Sequence, residues 1–165
     1  MLKRLPPFWI FPVSAVIVYG GGSALAVRLL RLPETFAAPA WLSYGVGGTL
    51  IVLGVALIGW SLRHLSLRRA AGREVFAKAE KSTLVTSGPY AIVRNPIYVG
   101  VSTALLGWTL LLRSTIVAVA TALMLGHFAL VARWEAREMG ARMGERYEAY
   151  RRATPAFLPR LRRRR

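Results

Sequence analysis

A chain of 165 residues with 55% apolar side chains and a positive mean hydropathy carries more apolar surface than one soluble domain can bury. The absence of cysteine excludes disulfides, thiolate metal sites and cysteine nucleophiles. A net charge of +16 would suit nucleic acid, but the placement of that charge points elsewhere.

The apolar residues cluster in Phe8 to Leu30, Trp41 to Leu62 and Ile97 to Ala132. A bilayer core of about 30 Å needs roughly 20 apolar residues per helix, so the first two stretches are full spans. The third is long enough for two short spans divided at Arg113-Ser114. The predicted fold is all-α, a polytopic membrane protein with about four transmembrane helices, at about 8–30, 41–62, 97–112 and 115–132, in a single membrane domain over 1–165. The chain opens with a short positive region before an apolar run, as a secretory signal does. That run is too long and no convincing A-x-A-like cleavage site follows, so it reads as a retained first span.

If four spans alternate, Lys3 and Arg4, seven basic residues from Arg63 to Arg94 and eleven from Arg133 to Arg165 face one side. Only Arg28, Arg31 and Arg113 face the other. The positive-inside rule then puts both termini and the long central loop in the cytoplasm, in a multi-pass protein of the inner or cell membrane, with no role for nucleic acid.

Span one contains Gly20-Gly21-Gly22 and span two contains Gly45, Gly47, Gly48, Gly54 and Gly59. Small residues let backbones approach closely in lipid, so these two spans are expected to pack on each other. Arg31 to Pro39 between them is a short external loop with Pro33 and Pro39. A polar block from Arg63 follows, ending in Gly88-Pro89-Tyr90 and Arg94-Asn95-Pro96. Gly88-Pro89 signals a turn, and Asn95-Pro96 a helix start with asparagine as cap. A second polar block begins at Arg133, where Trp134, Met139, Met143, Tyr147 and Tyr150 trace one face of an amphipathic helix, continuing from span four or bent off it. Pro155 and Pro159 end that helix, and Arg160 to Arg165 form a basic tail suited to anionic headgroups.

Glu135 sits where span four leaves the hydrocarbon, and a carboxylate there is costly unless it meets a cation or hydrogen-bond donors. Arg94 and Asn95 precede a helix start, where free N–H groups favour a carboxylate or phosphate. His64 and His127 lie in separate segments without metal-ligand spacing, so no metal site is expected, although the intramembrane position of His127 marks it.

In order and spacing, Gly88-Pro89-Tyr90, Arg94-Asn95-Pro96-x-Tyr98, an apolar hairpin, Glu135, Met143-Gly144-x-x-Tyr147-x-x-Tyr150, Pro155 and Pro159 resemble the isoprenylcysteine carboxyl methyltransferase and phospholipid methyltransferase superfamily. The pattern covers roughly Lys81 to Pro159, about half the chain. The resemblance implies S-adenosylmethionine as cofactor, bound by blocks 81–98 and 133–159. It implies contacts at Ser82, Thr83, Leu84 and Val85, at Tyr90, at Asn95, Pro96, Ile97 and Tyr98, and at Glu135, and Arg94 joins them from the helix-start argument. Where the family has histidine, a second glutamate and phenylalanine-glycine, this chain has Asn95, Ala136 and Met143-Gly144, so Glu135 is left to hold cofactor hydroxyl or ammonium groups alone.

Methyl transfer from a sulfonium is an in-line displacement, in which the protein positions donor and acceptor and excludes water. Glu135 and Arg133 are the expected catalytic residues, Arg133 orienting an acidic group on a lipophilic small-molecule, lipid or lipidated acceptor that enters from the membrane. An NADPH-dependent reductase of the sterol type and a non-enzymatic membrane scaffold are the alternatives.

Overall fold

Glycines decide how the helices meet. In the computed structural model, which describes residues 16–65 and 84–159, a wider π-helical stretch Val16–Gly21 leads into α1 (Gly22–Leu29), and another, Trp41–Val46, leads into α2 (Gly47–His64). A 3₁₀ turn, Gly88–Ala91, precedes α3 (Pro96–Leu112), followed by α4 (Thr115–Met143) and α5 (Glu145–Ala153). All regular elements among the described residues are helical. Part of the expected first span (8–15), the stretch 66–83 and the tail 160–165 lie outside the described residues.

Among the described residues two helices are long and apolar enough to cross a membrane, Trp41–His64 and Thr115–Met143; α3 is a shorter apolar helix. Their large side chains point outward, with Trp41 69%, Val52 68% and Leu130 65% exposed, the reverse of a soluble core.

Among the described residues the expected pairing of spans one and two through glycine is not seen. A Cβ at Gly54 would stand 2.5 Å from the Gly100 carbonyl oxygen, and one at Gly107 would stand 2.6 Å from that of Gly47. The glycines repeat every seven residues on both helices, so α2 and α3 run antiparallel with backbones in contact. Around Gly20, Gly21 and Gly22 a Cβ would meet nothing within 4 Å. α1 and the π-helical stretch before it pack instead on α4: Ser23 and Val27 are buried, and the Tyr19 ring meets His127 edge-on. Helix association in lipid has no hydrophobic driving force, so close packing and hydrogen bonds decide which faces meet; the Gly47/Gly54 face has a matching groove on α3.

α3 stops at Arg113 in the left-handed region (φ 52), and Ser114 caps α4 by accepting from Val117 N–H, so the hairpin divides where expected. The Arg31–Pro39 loop covers this end: Phe36 N–H donates to the Arg113 carbonyl (3.0 Å) and Thr115 N–H to that of Glu34 (2.9 Å). At the opposite end α4 runs unbroken to Met143, so the second polar block continues span four. It bends at Gly144 (φ 57), from which α5 folds back beneath the 3₁₀ turn.

Candidate functional site

The two polar blocks meet at the end where α2 and α4 finish and α3 begins. Gly88 takes a left-handed φ of 59, and a Cβ there would stand 2.6 Å from the His64 ring, so the end of α2 packs directly on the turn. Pro89 and Tyr90 are buried by this packing. Pro96 starts α3 as expected, but Asn95 is not a side-chain cap. Its amide Nδ2 donates to the Ala156 carbonyl at 3.1 Å, and its backbone N–H donates to the same oxygen at 3.1 Å.

The C-terminal segment closes over this turn. Arg94 Nη1 donates to the Tyr147 hydroxyl (3.2 Å), Arg94 N–H to the Pro155 carbonyl (2.8 Å), and the Tyr150 hydroxyl to the Tyr90 carbonyl (2.6 Å). Tyr147 and Thr154 are buried beneath the segment. Burial pushes the phenols of Tyr90 and Tyr150 up to about 12. For Tyr150 the Arg94 charge opposes that shift, while Tyr147 and Tyr90 add to it. Tyr90 Oη and Arg94 Nε are buried without a hydrogen-bond partner among the described residues, an arrangement that costs free energy unless something else supplies the bond.

One turn deeper, the Tyr98 hydroxyl donates to Glu135 Oε1 at 2.9 Å, joining the start of α3 to the far part of α4. Phe128 stacks on the Tyr98 ring at 4.9 Å with 14° between the planes, so Tyr98 is held at its face and at its hydroxyl. Glu135 makes no ion pair among the described residues.

The sequence-predicted residues therefore separate into groups. Tyr98 and Glu135 touch; Tyr90, Arg94 and Asn95 gather one turn away around the C-terminal segment; Pro96 is buried at the helix start. Ile97, Leu84 and Val85 are half-buried beside them, and Ser82 and Thr83 lie outside the described residues. Arg133 is not brought in: two positions before Glu135, it projects about 200° round the helix, and it is exposed. Phe128, His64 and Tyr150 escaped the sequence reading as site residues. Phe128 was findable, because seven residues separate it from Glu135 and a heptad returns to the same helix face. No group of three or more His, Asp or Glu side chains that could hold a metal ion occurs among the described residues.

A family model for phospholipid methyltransferases matches residues 42–146, well over half of the chain, and takes in both Tyr98 and Glu135. The chain belongs to the phospholipid methyltransferase family. This family member is 33% identical over 137 residues to the cobalt-zinc-cadmium resistance protein CzcN of Cupriavidus metallidurans, a match covering 79% of this chain and 55% of that protein. It is 30% identical over 158 residues to the nickel-cobalt-cadmium resistance protein NccN of Alcaligenes xylosoxydans xylosoxydans, covering 93% of this chain and 63% of that one. The methyltransferase-family chain thus spans a little over half to under two thirds of the curated relatives it matches. No solved structure matches it.

Proposed function

We propose that this protein is a membrane methyltransferase that uses S-adenosylmethionine and acts on a lipophilic acceptor. One observation carries the reading: a carboxylate at the lipid boundary, Glu135, whose hydrogen-bond partner is the neutral Tyr98 hydroxyl and which has no ion pair among the described residues. A charge withdrawn from water in this way is expensive until a cation compensates it, and S-adenosylmethionine brings both a sulfonium and an ammonium. The unpartnered Tyr90 Oη and Arg94 Nε are two donors to a ligand oxygen one turn away, which suits the carboxylate of the same molecule. Glu135, Tyr98, Tyr90 and Arg94 would hold the cofactor, with Leu84, Val85, Asn95, Pro96 and Ile97 around it, and Ser82 and Thr83 completing the preceding loop.

When bound, the cofactor supplies an electrophilic methyl group on sulfur. The protein's part is to hold the donor against the lipid boundary, to keep water out with the α5 segment, and to let the acceptor reach the methyl group in line.

The membrane arrangement belongs to the same proposal: one domain with four spans, α1 to α4 and the residues continuous with them, and the site end in the cytoplasm. Exposed Trp41 and Trp60 stand nineteen residues apart on one helix, about 28 Å of rise, which is the separation of two interfacial belts. The basic residues gathered at the Trp60 end support the cytoplasmic assignment.

Glu135→Ala in purified protein should abolish calorimetric binding of S-adenosylmethionine while leaving the unfolding temperature within a few degrees of wild type. Unchanged affinity sinks the assignment. A thermal-shift screen in which NADPH and not S-adenosylmethionine stabilises the wild type sinks the whole reading.

A further inference from the structure

α1 and the π-helical stretch before it both pack on α4, with Tyr19 in that stretch and Ser23 and Val27 in α1 following at four-residue steps. Ser23 and Val27 are buried at 0% and 3% exposure, but Tyr19 is only half-buried, and His127, whose ring stands edge-on to Tyr19 at 5.8 Å, is exposed. Among the described residues the seam between the helices is therefore closed toward Leu29 and open at Tyr19. Immediately after Tyr19 come Gly20, Gly21 and Gly22, around which a Cβ would meet nothing within 4 Å, so α1 leaves room there in three directions.

The Tyr19 hydroxyl and both His127 ring nitrogens lack hydrogen-bond partners among the described residues. In hydrocarbon no water makes up the deficit, and an ionisable side chain so placed marks a functional position. His127 also leads to the site. Its ring stands 6.4 Å from Phe128, Phe128 stacks on Tyr98, and Tyr98 donates to Glu135. Glu135 lies eight residues further along α4, about 12 Å of rise.

The chemistry at the opening selects a head group. Between Arg113 and Arg133 the sequence has no charged residue, and Arg133 projects from another side of α4 than Glu135. On this stretch of α4 a charged head group would find no fixed counter-charge. A phenol both gives and receives a hydrogen bond and an imidazole offers two ring nitrogens, which matches a group that does both.

We propose that Tyr19 and His127 form the head-group subsite for the lipophilic acceptor, an uncharged amphiphile with a hydroxyl group that enters from the lipid through the open end of the α1–α4 seam. The proposal rests on the methyl-transfer reading for its link to Glu135, but its test does not. The full chain in phosphatidylcholine nanodiscs is labelled with a diazirine-bearing hexadecanol and, separately, with its methyl ether, which cannot donate. The alcohol should label the Gly20–Gly22 region and the α4 segment around Phe128 at least fivefold more than the ether does. His127→Phe and Tyr19→Phe should each lower that labelling at least fivefold, His127→Gln should retain it, and the affinity for S-adenosylmethionine should stay within twofold in all three. Equal labelling by alcohol and ether overturns the proposal, as does full labelling of both phenylalanine variants, or stronger labelling by the matching carboxylate or amine. A wild type that shows the alcohol-specific pattern without binding S-adenosylmethionine upholds the subsite and ends the methyl-transfer reading. The converse result removes the subsite alone.

Discussion

The α2–α3 pair and the α5 clasp are both built on close approach, yet different forces hold them. Along α2 and α3, Gly47, Gly54, Gly100 and Gly107 bring backbone against backbone, with Ile51, Ile58 and Ala104 packed alongside. Under the 3₁₀ turn, Arg94, Asn95, Tyr147 and Tyr150 make hydrogen bonds to one another and to the backbone of Tyr90, Pro155 and Ala156. In hydrocarbon, dispersion contacts over a long interface are the available cement, and glycine maximises them. At the lipid boundary water competes for every polar group, so each bond there contributes only about 0.5–1.5 kcal/mol net. The difference assigns roles: the α2–α3 pair is the rigid frame, and the clasp is the part that opens at least cost, which under the proposed function is where the cofactor would enter and leave.

A matched pair of substitutions breaks this comparison most sharply. Gly54→Ala puts a methyl group 2.5 Å from a carbonyl oxygen and 2.6 Å from the Ala104 nitrogen, both backbone atoms that cannot step aside. The cost should reach or exceed the upper end of the about 1–3 kcal/mol typical of overpacking, read as a lower unfolding temperature and less monodisperse protein after extraction. Gly48→Ala, on the same helix but with nothing within 4 Å, should leave both unchanged. If the two variants behave alike, the α2–α3 pair is not the frame.

The two regions also differed in how far the sequence revealed them. The break at Arg113-Ser114, the helix start at Pro96 and the Gly88 turn were all legible, because each depends on local backbone preferences written in a few residues. The meeting of Tyr98 with Glu135 was implied by the family resemblance and not by any local rule, since thirty-seven positions separate them. Glycine content alone could not show which helix α2 would choose: glycine marks a surface fit for close packing but names no partner, and Gly20–Gly22 have none within 4 Å among the described residues. Asn95 was misjudged as a cap for a related reason. A capping side chain serves its own helix only when nothing better is offered, and here the Ala156 carbonyl is within reach. That carbonyl arrives from sixty-one residues away, beyond the reach of any local pattern.

A second test sharpens the comparison from the other side. Tyr147→Phe removes the acceptor for Arg94 Nη1, leaving a guanidinium whose Nε is already unpartnered with still less to bond. The expected loss is about 1–3 kcal/mol, confined to the clasp. Amide hydrogen exchange should accelerate across Glu145–Ala153 and at Arg94 and Asn95, while the amides of α2 and α3 keep their protection. Acceleration spread evenly over the chain would mean that the clasp and the α2–α3 pair unfold as one unit.

The mildest test uses pH. Tyr90 and Tyr150 hold their protons up to about 12 in the folded protein because burial disfavours the phenolate, whereas a solvated tyrosine releases its proton near 10. A folded-state value above the unfolded one means that the clasp binds protons the opened segment would lose. Its stability is therefore complete below pH 10, declines between 10 and 12, and has lost this contribution once the folded-state phenols ionise. The Tyr150 hydroxyl should fail first as a device, since it donates to the Tyr90 carbonyl at 2.6 Å and a phenolate has no proton to donate. Exchange of the α5 amides, corrected for its intrinsic dependence on pH, should rise across this window in the wild type and more shallowly in Tyr150→Phe, which should also lack one late-titrating phenol in the phenolate absorbance. The α2–α3 pair, joined by glycine backbones with no titrating group between them, should show no such rise. Late phenols with no opening of α5 would mean that burial alone, and not the hydrogen bond, holds the clasp in place.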